Sequence, residues 1–208
     1  MSNFLTKPNI FFTSDFHIYH DKIIALGKGR PFSNLEEMHA AIADRHNAVV
    51  RQGDLVYNLG DFALKCQWEQ AYAFRQRLVG QQHFTFGNHD KVVWEMIRNV
   101  PDVFTWYKGD PDSPGAYVLK LKGYGDIPKI SIGHFKMCTF TSSHKGSWNL
   151  YGHSHGQLPD EDRWLGFDVG VDVWDYTPVS IEQVVQKMKS KMPAYERWRA
   201  TLPEGRME

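Results

Sequence analysis

Cysteine is scarce in this chain. Cys66 and Cys138 are its two thiols in 208 residues, and they lack the paired spacing of a zinc ribbon, an iron–sulfur cluster or a redox motif. Two thiols in a chain of this length read as reduced, which favours an intracellular, cytoplasmic location. A charge excess is missing too. Lys+Arg and Asp+Glu each number 24, so no net field argues for nucleic acid or a membrane surface as partner. No apolar run reaches membrane-spanning length, and Met1 to Pro8 lack the basic start and long apolar stretch of a secretion signal. Internal repeats and low-complexity linkers are also absent. What is present is a globular composition, 42% hydrophobic and 14% aromatic, whose length suits one domain, residues 1–208, with a substantial core.

The first half alternates between two periodicities. Asn9 to Ser14 is an apolar, β-prone run, and Asp54 to Leu59 and His83 to Phe86 are two more. Between the first two, Ser33 and Glu36 predict a capping box, and Leu35, Met38, Ile42 and Val49 predict one helical face to about Arg51. Lys65 to Val79 is expected as a second helix stopped by Gly80, and Val92, Val93, Met96 and Ile97 open a third. Strand then helix, three times over, predicts a parallel sheet whose functional groups gather at the C-terminal strand ends. The second half is mostly β. Ala116–Lys122 and Lys129–Gly133 predict a hairpin, Ser147–Tyr151 and Gly166–Val171 two further strands, and Ser180 with Gln183 a cap for a helix from Ile181 to about Lys191. The basic residues Lys187, Lys189, Lys191, Arg197 and Arg199 alternate with Glu182 and Glu196, which reads as a solvated helix face. The change of character predicts two packed sheets in one α/β domain.

Five short segments at the expected strand ends carry the metal-capable chemistry: Asp15-Phe16-His17, Gly60-Asp61, Gly87-Asn88-His89-Asp90, Gly133-His134 and Gly152-His153-Ser154-His155. Taken singly most are weak, since Asp-x-His and Gly-Asp are ordinary turns and a lone His134 suits a hydrogen-bonded core position. Gly87-Asn88-His89-Asp90 places three polar donors after a tight exit, more than a turn needs. His153 and His155, two apart, project to one side of an extended segment. Together they offer Asp, Asn and His, hard-to-borderline donors suited to Mn, Fe, Zn or Ni. Seven ligands are too many for one tetrahedral ion and suit two ions sharing a bridge.

In this order the five segments resemble the D-x-H, G-D, G-N-H-D/E, G-H and G-H-x-H motifs of the calcineurin-like metallophosphoesterase superfamily, from residue 15 to residue 155. The resemblance implies a four-layer α/β/β/α sandwich with two packed mixed sheets. It implies two divalent metal ions: Asp15, His17 and His155 on one, Asn88, His134 and His153 on the second, and Asp61 bridging both. It also implies hydrolysis of a phosphoester by in-line attack of a metal-bridging hydroxide. His89 would act as general acid or as hydrogen-bond donor to the transition state, and Asp90 would orient His89.

One departure bears on substrate. Many relatives carry a further acidic residue and then Arg or Asn after the second motif, whereas here Phe62-Ala63-Leu64-Lys65 follows Asp61. That disfavours a phosphoprotein phosphatase. His20-Asp21, Arg30-Pro31-Phe32 and His46-Asn47 instead resemble small bacterial and phage-type phosphoesterases, with His20 and Arg30 as candidate phosphate contacts. His39 and His46 read as surface or half-buried helix residues, His144 as a loop residue near the cleft, and Asp168 and Asp172 as turn residues or supports of the site. The tryptophans read as packing. The expected activity is a phosphodiesterase, in preference to a phosphomonoesterase, acting on a small or nucleotide-like substrate. A nuclease of the same family is the nearest enzyme alternative, and neutral net charge weighs against it. A non-catalytic metal-binding scaffold is the other alternative, but it would be expected to have lost ligands or His89, and none is lost.

Overall fold

The computed structural model describes residues 7–25 and 29–202. Among these residues fourteen strands and α-helices follow one another: β1 (Ile10–Thr13), α1 (Leu35–Val49), β2 (Leu55–Asn58), α2 (Trp68–Gln76), β3 (Gln81–Thr85), α3 (Lys91–Asn99), β4 (Trp106–Asp110), β5 (Ser113–Pro114), β6 (Ala116–Leu119), β7 (Ile130–Gly133), β8 (Trp148–Tyr151), β9 (Gly166–Asp168), β10 (Val179–Ser180) and α4 (Ile181–Ala200). They build two mixed sheets, ordered β10-β1-β2-β3-β4-β5 and β6-β7-β8-β9. β1 to β4 are mutually parallel, as the alternating strands and helices require. β7, β8 and β9 are parallel, with β6 antiparallel at the edge.

Side-chain alternation joins the layers. Ile10 and Phe12 of β1 enter a core shared with Ile130, Ile132, Leu150 and Phe167 of the second sheet, and Ile181, Val184, Met188 and Tyr195 of α4 complete it. Phe11 points the other way, against Val50 and Val56. On that side α3 buries Val92, Val93, Met96 and Ile97 against Phe62, Phe84, Phe86 and Phe104. Each such side chain contributes about 1.5–3 kcal/mol by leaving water. This double-sided burial brings five strand ends, those of β1, β2, β3, β7 and β8, to one edge. The parallel bridge between Ser14 and Gly170 closes it.

Several local expectations are displaced. The α1 cap is Asn34, not Ser33: its side chain accepts from the Glu37 amide at 2.9 Å, and the Glu37 carboxylate accepts from the Ser33 amide at 2.7 Å. α2 begins only at Trp68, because Lys65 sits at φ 60°, a left-handed conformation no α-helix contains. α4 continues past Lys191 to Ala200 through Pro193. Tyr195 and Trp198 beyond it still pack on the core, which outweighs the hydrogen bond the proline removes. Its basic face is not wholly solvated. Lys191 is buried, paired with Asp160 and donating to the Glu161 carbonyl. β4, with Lys108 and Gly109 in it, escapes the sequence pattern because only neighbour pairing with β3 makes it a strand. No helix among the described residues is long and apolar enough to cross a membrane.

His39 and His46 are core groups, contrary to the sequence reading. His39 accepts from the Tyr19 amide at 3.0 Å, and His46 is bonded to the Val79 carbonyl. Burial pushes both imidazoles down to about 4. The unfolded chain therefore binds these protons from about pH 6.5 downwards while the folded chain refuses them until about pH 4. Stability is full above pH 6.5 and falls across that window. For His46 alone the loss between pH 7 and pH 5 is expected to be about 2 kcal/mol. Urea unfolding of metal-stripped protein at the two pH values checks this. The difference should shrink by that amount in His46→Gln, and an unchanged difference would refute it.

Candidate metal centre

Three of the five motif segments, the first, second and fifth, leave their strands through strained backbone. Asp15, His17, Asp61, His153 and His155 have φ between 47° and 66°, and they are five of the ten described non-glycine residues with positive φ. Such conformations cost about 1–2 kcal/mol each and persist where the surroundings over-determine them. The surroundings here are hydrogen bonds between the segments. The Asp15 and His17 amides donate to the Gly60 and Asp61 carbonyls, both at 2.9 Å. The Asp90 carboxylate accepts from the amides of Asp61, Phe62 and Gly87 at 2.7–2.8 Å. The His153 amide donates to Asp15, and Asp168 accepts from the amides of Gly156 and Gly170. Two glycines permit the close approach. A Cβ on Gly87 would lie 2.2 Å from Asp61 Oδ1, and one on Gly152 would lie 2.4 Å from Asp15 Oδ2.

The side chains converge in two groups. Asp15, His17 and His155 offer one donor atom each within 4.8 Å of one another, and so do Asp61, His134 and His153. Asp61 Oδ2 lies between the groups, 3.4 Å from His17 Nε2 and 3.3 Å from His134 Nε2. Asn88 Oδ1 is 3.1 Å from His134 Nε2. The ring centroids of His17 and His155 are 5.1 Å apart, and those of His134 and His153 are 5.0 Å apart.

These residues fit divalent cations on their own chemistry. His17 is almost fully buried, yet neither ring nitrogen has a hydrogen-bond partner. A buried polar atom of that kind is costly unless a cation takes its lone pair. Burial holds the His17 imidazole down to about 3, in the neutral form a ligand needs. Asp61 is also buried, which opposes its ionisation, but the hydrogen bond and charge of His134 and the charge of His17 outweigh that and hold it at about 2. His134 moves the opposite way. Burial disfavours its charge, but the Asp61 hydrogen bond and the Asp15 and Asp61 carboxylates raise it to about 9. Without metal these two form an ion pair, so a cation bound there displaces a proton. His134 Nδ1 lies 2.9 Å from the Leu59 carbonyl, which can only accept, so the Nε2 lone pair of the neutral ring faces the cluster. His155 Nδ1 is 2.7 Å from Asp172 Oδ2, a support that aims Nε2 at Asp15.

The other sequence candidates separate. The His89 ring is exposed, its centroid 5.7 Å from that of His17, and its amide donates to Asp61 Oδ1. Half-buried His20 stands 5.5 Å from His17, ring to ring. Asp90 is not the partner of His89. Its oxygens are committed to three backbone amides, and burial followed by the Asp61 charge raises it to about 7. Arg30 is no phosphate contact: it is buried, bidentate to Asp172 and donating to the Asp15 and Phe16 carbonyls. It braces the first motif, and with its fifth N–H on Met38 Sδ at 3.4 Å it has no donor left for a ligand. His144 lines a different cavity, with Cys138, Trp164 and Trp198. Three neighbours of the motifs were missed, Lys65, Lys91 and Phe135. Phe135 is exposed with its ring 4.6 Å from that of His153. The available signal was position alone: Lys91 directly follows the third motif and Phe135 the fourth.

Known proteins resemble this chain in sequence and in fold. The sequence profile of the calcineurin-like phosphoesterase family matches residues 8–175. An uncharacterized protein of Methanocaldococcus jannaschii is 32% identical over 188 residues, 88% of this chain and 92% of its own. A crystal structure of a protein of unknown function from Aquifex aeolicus shares the fold, with TM-score 0.65 and 21% identity over 86% of this chain and 98% of that one.

Proposed function

The chain belongs to the calcineurin-like phosphoesterase family, and on that premise we propose that it is a two-metal phosphodiesterase for a small, nucleotide-like substrate. The observation that carries the two-metal reading is the Asp61 carboxylate standing between two donor groups, within 3.4 Å of His17 and 3.3 Å of His134. Asp15, His17 and His155 would hold one divalent ion, Asn88, His134 and His153 the other, and Asp61 both. Two such cations, when bound, neutralise charge on the phosphate oxygens and make water a stronger acid.

The chain's own groups do the rest. His89 is exposed beside the donors, and its imidazole has no hydrogen-bond partner among the described residues, so it can give a proton to the departing oxygen and regain it from solvent. His20, on the side of the first group, is a contact for a non-bridging phosphate oxygen. The exposed Phe135 ring offers a flat apolar wall for a base or aryl group. Zero formal charge supports a small substrate over a long polyanion. The N/O donor set makes manganese a suitable metal for reconstitution. The reduced-thiol composition supports action in the cytoplasm.

The test is hydrolysis of an aryl phosphodiester beside its monoester by manganese-reloaded protein, with His89→Ala as control. Diester turnover should exceed monoester turnover and fall by about 10²–10⁴-fold in the variant, with two metals per chain retained. Faster monoester turnover would make it a phosphomonoesterase. Normal turnover in the variant would assign the proton to another group.

A further inference from the structure

Beside the candidate centre lies a cleft of about 390 Å³ lined by Leu64, Lys65, Asn88, His89, Lys91 and Val92. Its volume suits a ring-bearing group. Asn88 connects it to the second donor group, and His89 stands on its wall. Two ammonium groups line it, one after the second motif and one after the third. Lys91 has no ion-pair partner within 4.0 Å among the described residues, whereas Lys65 is paired with Asp21 at 3.2 Å and both partners are solvent-exposed. Lys65 is also held at φ 60°, the same strained backbone as the candidate ligands. A lining that combines apolar Leu64 and Val92 with two lysines matches a ring that carries an anion.

We propose that this cleft receives the leaving group of the substrate, and that Lys65 and Lys91 select leaving groups bearing their own negative charge, a carboxylate or a phosphate. The inference rests on the hydrolase reading in one respect, that His89 faces the departing oxygen. A lysine is a point charge without the planar fork of arginine, so the selection follows charge more than shape. A phosphate-type dianion is then favoured over a carboxylate. Because both lysines are exposed, the preference is modest and screened by salt. Asp21 opposes it by occupying Lys65.

The experiment uses metal-loaded protein and ethyl aryl phosphodiesters that differ only at the para position of the phenol: carbamoyl, carboxylate or phosphonate. Turnover is measured as kcat/KM, and binding of each ester is followed by calorimetry. The carboxylate-to-carbamoyl ratio of kcat/KM should fall about three- to tenfold in Lys91→Gln and in Lys65→Gln. It should be restored in Lys91→Arg, rise in Asp21→Asn, and decline as salt is raised. A larger ratio for the phosphonate identifies a phosphate-bearing leaving group, and an equal or smaller one a carboxylate. Hydrolysis with ratios indifferent to both lysines and to salt would overturn the cleft assignment and leave the hydrolase reading standing. Lysine-dependent binding of the anionic esters without hydrolysis would overturn the hydrolase reading and with it the leaving-group role, keeping only the preference of the two lysines for anions. Neither hydrolysis nor lysine-dependent binding would overturn both.

Discussion

Asp61→Asn is expected to reduce turnover by about 10³-fold or more, equivalent to ~4 kcal/mol, and to lower bound metal below two ions per chain. Two features make this the most damaging conservative change. Asp61 Oδ2 is within 3.4 Å of an imidazole from each donor group, so one substitution weakens both. Its negative charge is also what holds His134 protonated without metal and what a cation would inherit on displacing that proton. An amide has nearly the same shape, and its oxygen can still accept from the His89 amide, so the loop should keep its form. Metal analysis beside a urea titration separates the effects. Loss of metal and activity, in a chain whose stripped form still unfolds in one transition with its midpoint lowered by loss of the Asp61–His134 pair, is the expected result. Full turnover with two ions bound would remove Asp61 from the bridging role.

Gly87→Ala is expected to be nearly as severe without touching a donor atom. The added Cβ would meet Asp61 Oδ1 at 2.2 Å and the Asp61 amide nitrogen at 2.6 Å. One of these is backbone, so no rotamer change relieves the clash, and the second and third segments must separate. Overpacking of this kind costs about 1–3 kcal/mol of stability, and a displacement near 1 Å at the donors costs about 10²-fold in rate. Gly125→Ala is the control. Its φ is positive, 80°, unlike that of Gly87, and nothing lies within 4 Å of its Cβ, so it should lose stability through backbone strain alone and keep its rate. Equal activity in the two variants would show that the tight approach at Gly87 does not position Asp61.

Much of the fold is legible because most of the longer elements carry their own signal. β1, β2 and β3 are apolar runs, α3 has four buried residues on one face, and Ser180 with Gln183 closes the predicted box at the start of α4. The misreadings came where local signals compete. Asn34 and Ser33 are both good caps, and only the extended backbone at Asn34 decides which is used. Lys191 and Arg30 are ordinary surface residues by type. Asp160 and Asp172, far from them in sequence, make them interior ones.

The order and spacing of five motifs, by themselves, determined the family, the N/O donor chemistry and the candidate ligands. Such motifs carry that information because each supplies its donor from one short stretch of chain. Partnership was decided by tertiary structure alone. The resemblance implies that Asp90 orients its neighbour His89, yet the fold turns Asp90 inward to three amides and leaves His89 exposed. Arg30 reads as a phosphate ligand until Asp172, 142 residues away, takes its guanidinium. Lys65 and Lys91 become neighbours only when β2 and β3 lie side by side and their exits share one cleft. A residue's type states what it can bind, but which group reaches it first depends on contacts between distant parts of the chain.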